Sequence, residues 1–477
     1  MKNHIYKFVA LSFFVALGLQ SCKVGPDYER TELPTMESYN YDSLKQDTVV
    51  NIRWWELFQD TTLQQLIKVG LKENLDILTA VSRIEQARAY HGFKKADIWP
   101  AFGYNAGMTS GTNVLPGLGF GKIDNYTASA TVSWELDFWG KFRRATESAK
   151  ADLLASEASK RTIMISLVSD IATNYFKMLD FKKRLEVSQE TFDARTKSVE
   201  LMQAKFDHGY IQLLDLNQSQ IQLAIAEAAI PRYEREYIRT QHTLSLLLGK
   251  TPQSIKAGVK LDSLITPPSI PAGLPSSLIE RRPDIVQSEY NVMSANAQIG
   301  VAVAQRFPSI SLTGSGGLGS NDINTILSNG FVWGIGASIA GPLFNFGKNK
   351  RRVEVERHKT QQAVYAYKKT VLNAFRGVED ALVGIRTLKT EYNARVKQVE
   401  AAESALYLSE MRYDKGVTSY LEVLEQQRQQ FDSQLAVAEA HQQYLSAYAK
   451  LYKELGGGWM SVEEENSAKQ AQQEKNK

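Results

Sequence analysis

The stretch YDKGVTSYLEVLEQQ, residues 413–427, recurs in this chain as FDHGYIQLLDLNQSQ, residues 206–220. In both copies an aromatic residue, an acid and a glycine are followed by a new apolar rhythm, which carries an acid six residues past the glycine. This order is typical of a long helix that ends at a glycine, here Gly209 or Gly416, and of a second helix that starts shortly afterwards. The matched positions share one offset of 207 and are Asp207/Asp414, Gly209/Gly416, Leu214/Leu421, Asp215/Glu422 and Gln220/Gln427.

A second set of matches extends this repeat toward the N-terminus. It has an offset of 208 and consists of Asp76/Asp284, Ala87/Ala295, Ala96/Ala304 and Pro100/Pro308. The chain is therefore predicted to be one tandem duplication of about two hundred residues, and not a solenoid of short units. We predict a first repeat at residues 61–250, a proline-marked linker at 251–275, a second repeat at 276–458 and a polar tail at 459–477.

Composition limits what such a duplication can do. The chain has 477 residues, of which 43% are apolar and 23% charged, so it can bury a large core. Its formal net charge of +4 falls to about +2 if Lys2 and Lys7 are removed with a leader, and this near-neutral balance argues against a nucleic-acid binder. The single cysteine, Cys22, excludes a disulfide framework within the chain.

The N-terminus predicts export. Two lysines precede the apolar run at residues 8–19, which is too short to span a bilayer as a helix but suits the core of a signal peptide. The junction at residues 19–22, Leu-Gln-Ser-Cys, is similar to the bacterial signal for attaching lipid to a cysteine and cutting just before it. We predict a lipoprotein signal peptide at residues 1–21 and a lipid-anchored segment, acylated on Cys22, at 22–60. The alternative is an ordinary signal peptide followed by an incidental cysteine.

Alternating segments predict four strands, at about residues 101–137 and 309–342. In YTASATVSWELD, residues 126–137, every second residue is apolar or small and the intervening ones are polar. About ten such residues span a bilayer as a tilted strand, although one isolated run would equally suit a soluble sheet. A spanning sheet has to close on itself, so four strands per chain require two chains for 8 strands or three for 12.

Two long helices are predicted to follow the strand pairs. Residues 141–208 contain neither glycine nor proline, and at 1.5 Å per residue such a helix is roughly 100 Å long. That length suits a coiled-coil-like rod or one stave of a helical tube. Its counterpart at residues 348–415 carries Gly377 and Gly384, where we expect bending or close packing. After each glycine turn a return helix is predicted, which places the turns at the end of the rod farthest from the strands.

Several of these motifs resemble those of a known family. The run Cys22–Tyr28, CKVGPDY, the pair Trp54-Trp55 with Phe58, and RRPDI at residues 281–285 are similar to the lipoprotein branch of the TolC-like outer membrane factors. That family supplies the outer membrane channels of resistance-nodulation-division tripartite efflux pumps. The resemblance implies a mainly α fold, with a long α-helical periplasmic barrel continuous with a transmembrane β-barrel. It also implies a homotrimer with 12 strands, a periplasmic adaptor and an inner-membrane pump.

The resemblance also implies roles for residues at the glycine turns. Acids at the positions of Glu422 and Glu425 line the periplasmic aperture in the family, and a tyrosine at the position of Tyr413 bonds an acid at the position of Asp215. The best-known member of the family has an arginine two residues past the glycine, where this sequence has Thr418. From the residues alone, these acids fit equally well as helix-start carboxylates on a solvated surface.

No catalytic or cofactor site is predicted. GSGGLG at residues 314–319 matches a dinucleotide fingerprint, but the acid that should bind the ribose is missing and a strand follows instead of a helix. The six histidines lack ligand spacing. We therefore expect a passive duct without metal or enzymatic activity, whose only attached group is the lipid. The alternatives are a type I protein secretion duct and a non-conducting coiled-coil lipoprotein.

Overall fold

The computed structural model describes residues 23–36, 38–41, 58, 60–115, 119–264, 275–328 and 331–457. The predictions for the signal peptide, for Cys22, for the tryptophan pair and for the polar tail lie outside these residues. The helices are α1 (Thr61–Glu73), α2 (Leu75–Ala96), α3 (Lys141–Asp207), α4 (Leu213–Leu247), α5 (Pro275–Arg281), α6 (Pro283–Ala304), α7 (Lys348–Asp414) and α8 (Tyr420–Glu454). The strands are β1 (Ala101–Leu115), β2 (Gly119–Leu136), β3 (Ser309–Ser320) and β4 (Phe331–Ala340).

Element lengths confirm the duplication. Helices α3 and α7 each have 67 residues, and α4 and α8 each have 35. Helices α2 and α6 each have 22 residues. All three pairs begin and end at the offsets found in the sequence, 208 for α2/α6 and 207 for the other two pairs. The glycines at residues 314–319 lie in β3, as expected for a strand and not for a nucleotide loop.

The second helix of each repeat begins at an equivalent position. Asn74 interrupts the first helical segment, and its Oδ1 accepts from the backbone N–H groups of Asp76 and Ile77. Its Nδ2 donates to the carbonyl of Leu247 at 2.9 Å. The counterpart of Asn74 in RRPDI is Arg282, which donates to the carbonyl of Glu454 at 2.6 Å. Both side chains therefore occupy free carbonyls at the end of a return helix.

The strands form one antiparallel sheet in the order β1-β2-β3-β4. The two hairpins pair in the same way, with Ala101 opposite Ser133 in the first and Ser309 opposite Ala340 in the second. Strand β2 joins them, with Leu136 opposite Ile310. Strands β1 and β4 are consequently the edges of the sheet, and each presents a row of backbone groups that have no strand partner among the described residues.

The described chain divides into two compact units. The first comprises residues 1–32, 82–157 and 287–368 and contains the sheet, whereas the second comprises 33–81, 158–286 and 369–477. The second unit holds the main apolar core, in which α3 contributes the fully buried Ile171, Tyr175 and Phe176. These side chains pack with residues of α1, α4 and α8, so one stretch of α3 is buried on most sides.

The glycines of α7 differ in their packing. A Cβ atom on Gly377 would lie 2.2 Å from a carboxylate oxygen of Glu454, so close packing is confirmed there. Gly384 has open space around its Cα, and α7 is continuous through both positions. Among the described residues, no helix is both long and apolar enough to cross a membrane.

In the first unit, the segment that follows Cys22 is held by a buried arginine. Arg144, 1% exposed, donates to the carbonyls of Val24 and Gly25 at 3.2 and 3.1 Å and to the Asp27 carboxylate at 2.9 Å. Gly25 has φ +94° and lies so close to Gly300 that a Cβ would meet the Gly300 Cα at 2.5 Å. Only glycine fits this position without a backbone shift. The N-terminal segment is thus fixed within a few residues of the predicted acylation site.

Candidate functional site

The two glycine turns have the same backbone geometry. The N–H of Gly209 donates to the carbonyl of Phe206, and that of Gly416 to the carbonyl of Tyr413, at 2.8 and 2.9 Å. The next residue of each turn donates back to the fifth residue before it, as in a Schellman motif. Both glycines have positive φ, +71° and +70°. The turns predicted from the sequence are therefore confirmed as helix ends.

The first acid of each return helix stabilises its own helix start. Asp215 accepts from the backbone N–H of Gln212 at 3.3 Å, which is one half of a capping box. Glu422, its counterpart, accepts from the hydroxyl of Thr418 and lies 3.6 Å from Arg412. Thr418, where the family resemblance predicts an arginine, thus binds Glu422 within the same chain.

Glu425 has a strong partner in its own helix. Arg428 donates two hydrogen bonds to its carboxylate, at 2.7 and 3.1 Å, and Gln429 donates a third at 3.0 Å. These hydrogen bonds, with that of Arg428 first, lower the pKa of Glu425 below its usual value. Glu425 is therefore ionised at neutral pH, and part of its charge is balanced by Arg428.

Tyr413 contacts the first repeat through a lysine. Lys205 in α3 lies over the tyrosine ring, with its Nζ 4.8 Å from the centroid, and its ammonium group is 3.4 Å from the hydroxyl. A bond between Tyr413 and Asp215, which the family resemblance implies, is not formed here, because the hydroxyl faces Lys205 and Asp215 caps α4. The Lys205 contact still joins the two repeats, because α3 and α7 belong to different copies.

A small apolar cluster supports these side chains. Its buried members are Met202, Leu216, Tyr420, Val423 and Leu424, with Phe206, Ile211, Leu406 and Tyr413 packed around them. Tyr420 stacks at a tilt on Tyr413, with centroids 5.3 Å apart. Its hydroxyl is buried and makes no hydrogen bond to any described residue, and burial raises its pKa to about 12.

Arg195 is the side chain that most directly connects the repeats near the turns. It belongs to α3, is 3% exposed, and donates to the carbonyl of Gln222 in α4 at 2.5 Å. Its other terminal nitrogen lies 3.4 Å from the carbonyl of Gln427 in α8, and the guanidinium is 5.1 Å from the ring centroid of Phe431. The position equivalent to Arg195 in the second repeat is Ala402.

The sequence pattern singled out neither Arg195 nor Lys205. Each is one basic residue in a 67-residue helix that is rich in lysine, arginine and glutamate, so its spacing carries no signal. Comparison of the two copies gives no signal either, because most positions of α3 differ from their counterparts in α7, as Arg195 differs from Ala402.

A second charged cluster lies deeper in the same unit and lines a cavity of about 660 Å³. Arg184 donates to Asp180 at 2.8 Å and is 3.2 Å from Glu439. Asp180 is 3% exposed, and this burial raises its pKa to about 6 despite the opposing effect of Arg184.

The chemistry of the described turns is that of charged side chains. No group of three or more metal-ligating side chains occurs among the described residues. What the turns offer is a pair of carboxylates, each balanced by a nearby arginine, and two cations on α3 that reach the second repeat. Such an arrangement can hold helices together and select ions by charge, without chemistry of its own.

Comparison with known proteins gives a consistent result over nearly the whole chain. A family model described as Outer membrane efflux protein matches residues 66–250 and 274–457. The solvent efflux pump outer membrane protein SrpC of Pseudomonas putida is 31% identical over 468 residues, covering 95% of this chain and 99% of that protein. The cation efflux system protein CusC of Escherichia coli K12 is 31% identical over 460 residues, covering 94% and 99%. The solved outer-membrane channel OprN superposes with a TM-score of 0.86 at 28% identity, covering 92% of this chain and 100% of OprN.

Proposed function

The chain belongs to the outer membrane efflux protein family, and on that premise we propose that it is the passive outer membrane exit duct of a tripartite efflux system. An inner-membrane pump supplies the energy, and a periplasmic adaptor links the pump to this chain. SrpC is named for solvents and CusC for cations, and the chain is equally identical to both. The cargo is therefore the general class of small molecules, selected by the pump and not by the duct.

The observation that carries this proposal is the four-stranded sheet with two open edges. In β4 every side chain is exposed in the single chain, including the large apolar Phe331, Trp333, Ile335 and Ile339. In lipid, all backbone groups have to be paired, so such a sheet has to close with other copies. A homotrimer gives 12 strands and leaves room for a lumen, which a barrel of eight strands would fill with side chains.

The turn carboxylates are proposed to surround the periplasmic aperture. Three copies place six glutamates there, from Glu422 and Glu425, and a ring of like charge favours cations or raises the cost of crossing a closed gate. Tyr413 and Asp215 contribute to the closed state, the first through Lys205 and the second by fixing the start of α4. The turn glycines Gly209 and Gly416 set the positions of these groups.

Exposed apolar side chains at the turns fit an adaptor. Tyr210 and Val417 follow the two glycines and are 80% and 66% exposed, while Leu214 and Leu421 are 60% and 57% exposed. Each pair is related by the offset of 207, so both turns offer the same apolar surface to a partner. Isolated exposed apolar residues are common, but exposed apolar residues at the same two positions of both copies form a repeated patch.

The lipid on Cys22 is proposed to hold the chain at the outer membrane. The support is the fixed segment that follows it, because Arg144 bonds Val24, Gly25 and Asp27. An acyl chain contributes about 0.8 kcal/mol per buried methylene, so several chains anchor the protein permanently. Cys22→Ser should abolish labelling with a radioactive fatty acid, and persistent labelling would remove the anchor from the proposal.

Conductance in planar bilayers tests the duct itself. The purified protein should be nearly closed, and Tyr413→Phe combined with Asp215→Ala should open it. Tyr407→Phe combined with Asp207→Ala is the matched control, because Tyr407 is 62% exposed and Asp207 lies outside the capping box. The absence of channel events in every variant would leave only a non-conducting coiled-coil lipoprotein.

A further inference from the structure

The cavity of about 660 Å³ in the second unit has the size of a site for a small organic molecule. Its walls come from the three helices α3, α7 and α8, and every residue that lines it belongs to that unit. Apolar side chains, among them Phe181 of α3 and Leu388 of α7, line it beside charged ones. A mixed lining of this kind suits a ligand that has an apolar body and one charged group.

One end of the cavity carries more acid than base. The base is Arg184, whose Nε donates to Oδ1 of Asp180 at 2.8 Å and whose Nη2 lies 3.2 Å from Glu439. One guanidinium thus serves two carboxylates, which leaves one negative charge uncompensated when both are ionised. Tyr233 of α4 lies against the guanidinium, with its ring centroid at 5.7 Å, and adds no charge.

The other charged residues of the lining do not offset this excess where it occurs. The charges that act on the pKa of Asp180 are those of Arg184 and Glu439. Glu454 is bound by Arg282 at 2.8 Å. The rest of the charged lining consists of three lysines and two aspartates, Lys177, Lys450, Lys453, Asp170 and Asp380. The two lysines of α8 lie at least eleven residues from Glu439, about 16 Å or more along the helix.

The buried carboxylate of Asp180 has an acceptor to spare. Asp180 is 3% exposed, and its hydrogen bond with Arg184 uses only Oδ1. Among the described residues, nothing donates a hydrogen bond to Oδ2. Burial raises the pKa of Asp180 despite the charge of Arg184, because one shared guanidinium stabilises the ionised form incompletely. A cationic group in the cavity would supply both the missing donor and the missing charge.

Gly384 leaves room in the same cavity. It lies inside α7, where glycine is less favourable than alanine. Close packing does not require a glycine there, because a Cβ atom would meet no atom within 4 Å. Gly377 differs in this respect, since a Cβ atom at that position would collide with Glu454. The open space at Gly384, which lines the cavity, is therefore available to a ligand.

We propose that this cavity binds a monovalent organic cation with an apolar body, of the class of arylalkyl amines. Its ammonium group lies between Asp180 and Glu439 and donates to Oδ2 of Asp180. Its body lies against Phe181, Leu388 and the open face of Gly384. The proposal goes beyond the exit duct, because it gives one unit of a single chain an affinity for one class of molecule, whether or not the duct conducts.

Binding of dansylcadaverine to the purified protein tests the site. This probe is a fluorescent arylalkyl amine, and its N-acetyl derivative has the same aromatic body without the charge. Equilibrium dialysis in detergent, with empty micelles as the blank, should show one amine bound per chain. Its affinity should exceed that of the acetylated probe about tenfold or more, because the neutral probe lacks the charge-assisted hydrogen bond. Equal affinities of the two probes, or no binding of the amine, would overturn the proposal.

Two variants that remove a charge locate the probe. Asp180→Asn and Glu439→Gln should each lower the affinity for the amine about tenfold and leave that for the acetylated probe unchanged. Asp432→Asn is the matched control, because Asp432 lies on α8 seven residues before Glu439 and outside the cavity lining. Circular dichroism checks that the helices persist, and Glu439→Gln changes a half-exposed side chain that folding does not bury. Wild-type affinity in either folded variant would overturn the proposal.

The affinity for the amine should also depend on pH. The pKa of Asp180 is about 6, so its carboxylate is ionised at pH 7.5 and mostly protonated at pH 5, whereas an alkylammonium group stays charged at both. The affinity of the wild type should therefore fall roughly tenfold from pH 7.5 to pH 5. That of Asp180→Asn should stay level. An equal fall in both proteins would overturn the role of Asp180.

Filling the cavity tests its apolar part. Gly384→Leu should abolish binding of both probes, while its Tm stays at or above that of the wild type, because leucine favours a helix more than glycine does. Thr390→Leu is the control, since Thr390 is exposed on α7 and lies outside the cavity lining. A stable Gly384→Leu variant that binds dansylcadaverine as the wild type does would overturn the assignment of the cavity and leave the duct in place.

Discussion

Replacing Arg195 with methionine should shift the gate toward its open state. Methionine keeps most of the aliphatic volume of the side chain and removes the guanidinium. In the structure that guanidinium binds α4 through Gln222 and reaches α8 through Gln427 and Phe431. If α8 moves away from α3 when the duct opens, the Gln222 bond persists and the two α8 contacts are lost.

The size of the effect follows from those two contacts. A cation–π contact of a desolvated arginine contributes about 1–2 kcal/mol. The hydrogen bond to Gln427 is long, 3.4 Å, and adds on the order of 0.5 kcal/mol, at the low end for such bonds. A total of about 2 kcal/mol corresponds to roughly 30-fold in the ratio of open to closed protomers, since 1.4 kcal/mol is tenfold.

Single-channel recording in planar bilayers measures this ratio as open probability. Arg195→Met should raise the open probability roughly 30-fold by the same conversion. The open probability of Arg195→Lys should lie between those of the wild type and Arg195→Met, because an ammonium group cannot reach both carbonyls as the forked guanidinium does. Arg395→Met is the matched control, since Arg395 is exposed and contacts only its own helix. A folded, assembled Arg195→Met variant that gates like the wild type would refute the role of Arg195 in closure.

Three further predictions concern stability. Asp180 has a pKa of about 6, above its unfolded value, so its contribution to the free energy of unfolding is full below about pH 4 and is lost as the pH rises through 6. The Tm of Asp180→Asn, measured by calorimetry, should therefore exceed that of the wild type at pH 7.5 but not at pH 4. An equal difference in Tm at both pH values would contradict this. Tyr420→Phe removes a buried hydroxyl that has no hydrogen-bond partner among the described residues. The free energy of unfolding in urea should stay unchanged or rise by about 1 kcal/mol. A clear fall in this free energy would reveal a partner of the hydroxyl. Gly416→Ala and Gly209→Ala should each lower the free energy of unfolding by about 1–2 kcal/mol through positive φ alone, because a Cβ atom added at either glycine would meet no atom within 4 Å. A much larger loss at one of them would indicate a contact made in the assembly.

Features with a local cause could be predicted from the sequence. The ends of α3 and α7 follow from glycines that adopt positive φ, and the strands follow from alternation over ten or more residues. The break at Asn74 follows from a side chain that caps the next helix. Each of these depends on neighbours within a few positions, so a linear pattern contains the information.

Features that depend on packing could not be predicted in the same way. Tyr413 meets Lys205 and not Asp215, because the direction of its hydroxyl is set by how α7 lies on α3. The burial of Arg195 is likewise a property of three helices meeting, and nothing in its own segment marks it. The partners of Glu422 and Glu425 lie three to ten residues away along the chain, but many other charged residues are spaced in the same way.

The unequal copies give the gate a direction. Near the turns, Arg195 and Lys205 of α3 link the repeats, since Arg195 reaches Gln427 of α8 and Lys205 reaches Tyr413 of α7. The ion pairs of Glu422 and Glu425, by contrast, are internal to the second repeat and can move with it unbroken. Opening by movement of α7 and α8 would therefore break the contacts of these two α3 cations, while the ion pairs of Glu422 and Glu425 persist. Because position 402 is an alanine, the second repeat has no arginine equivalent to Arg195, and we propose that the second repeat is the part that moves and α3 the part that restrains it.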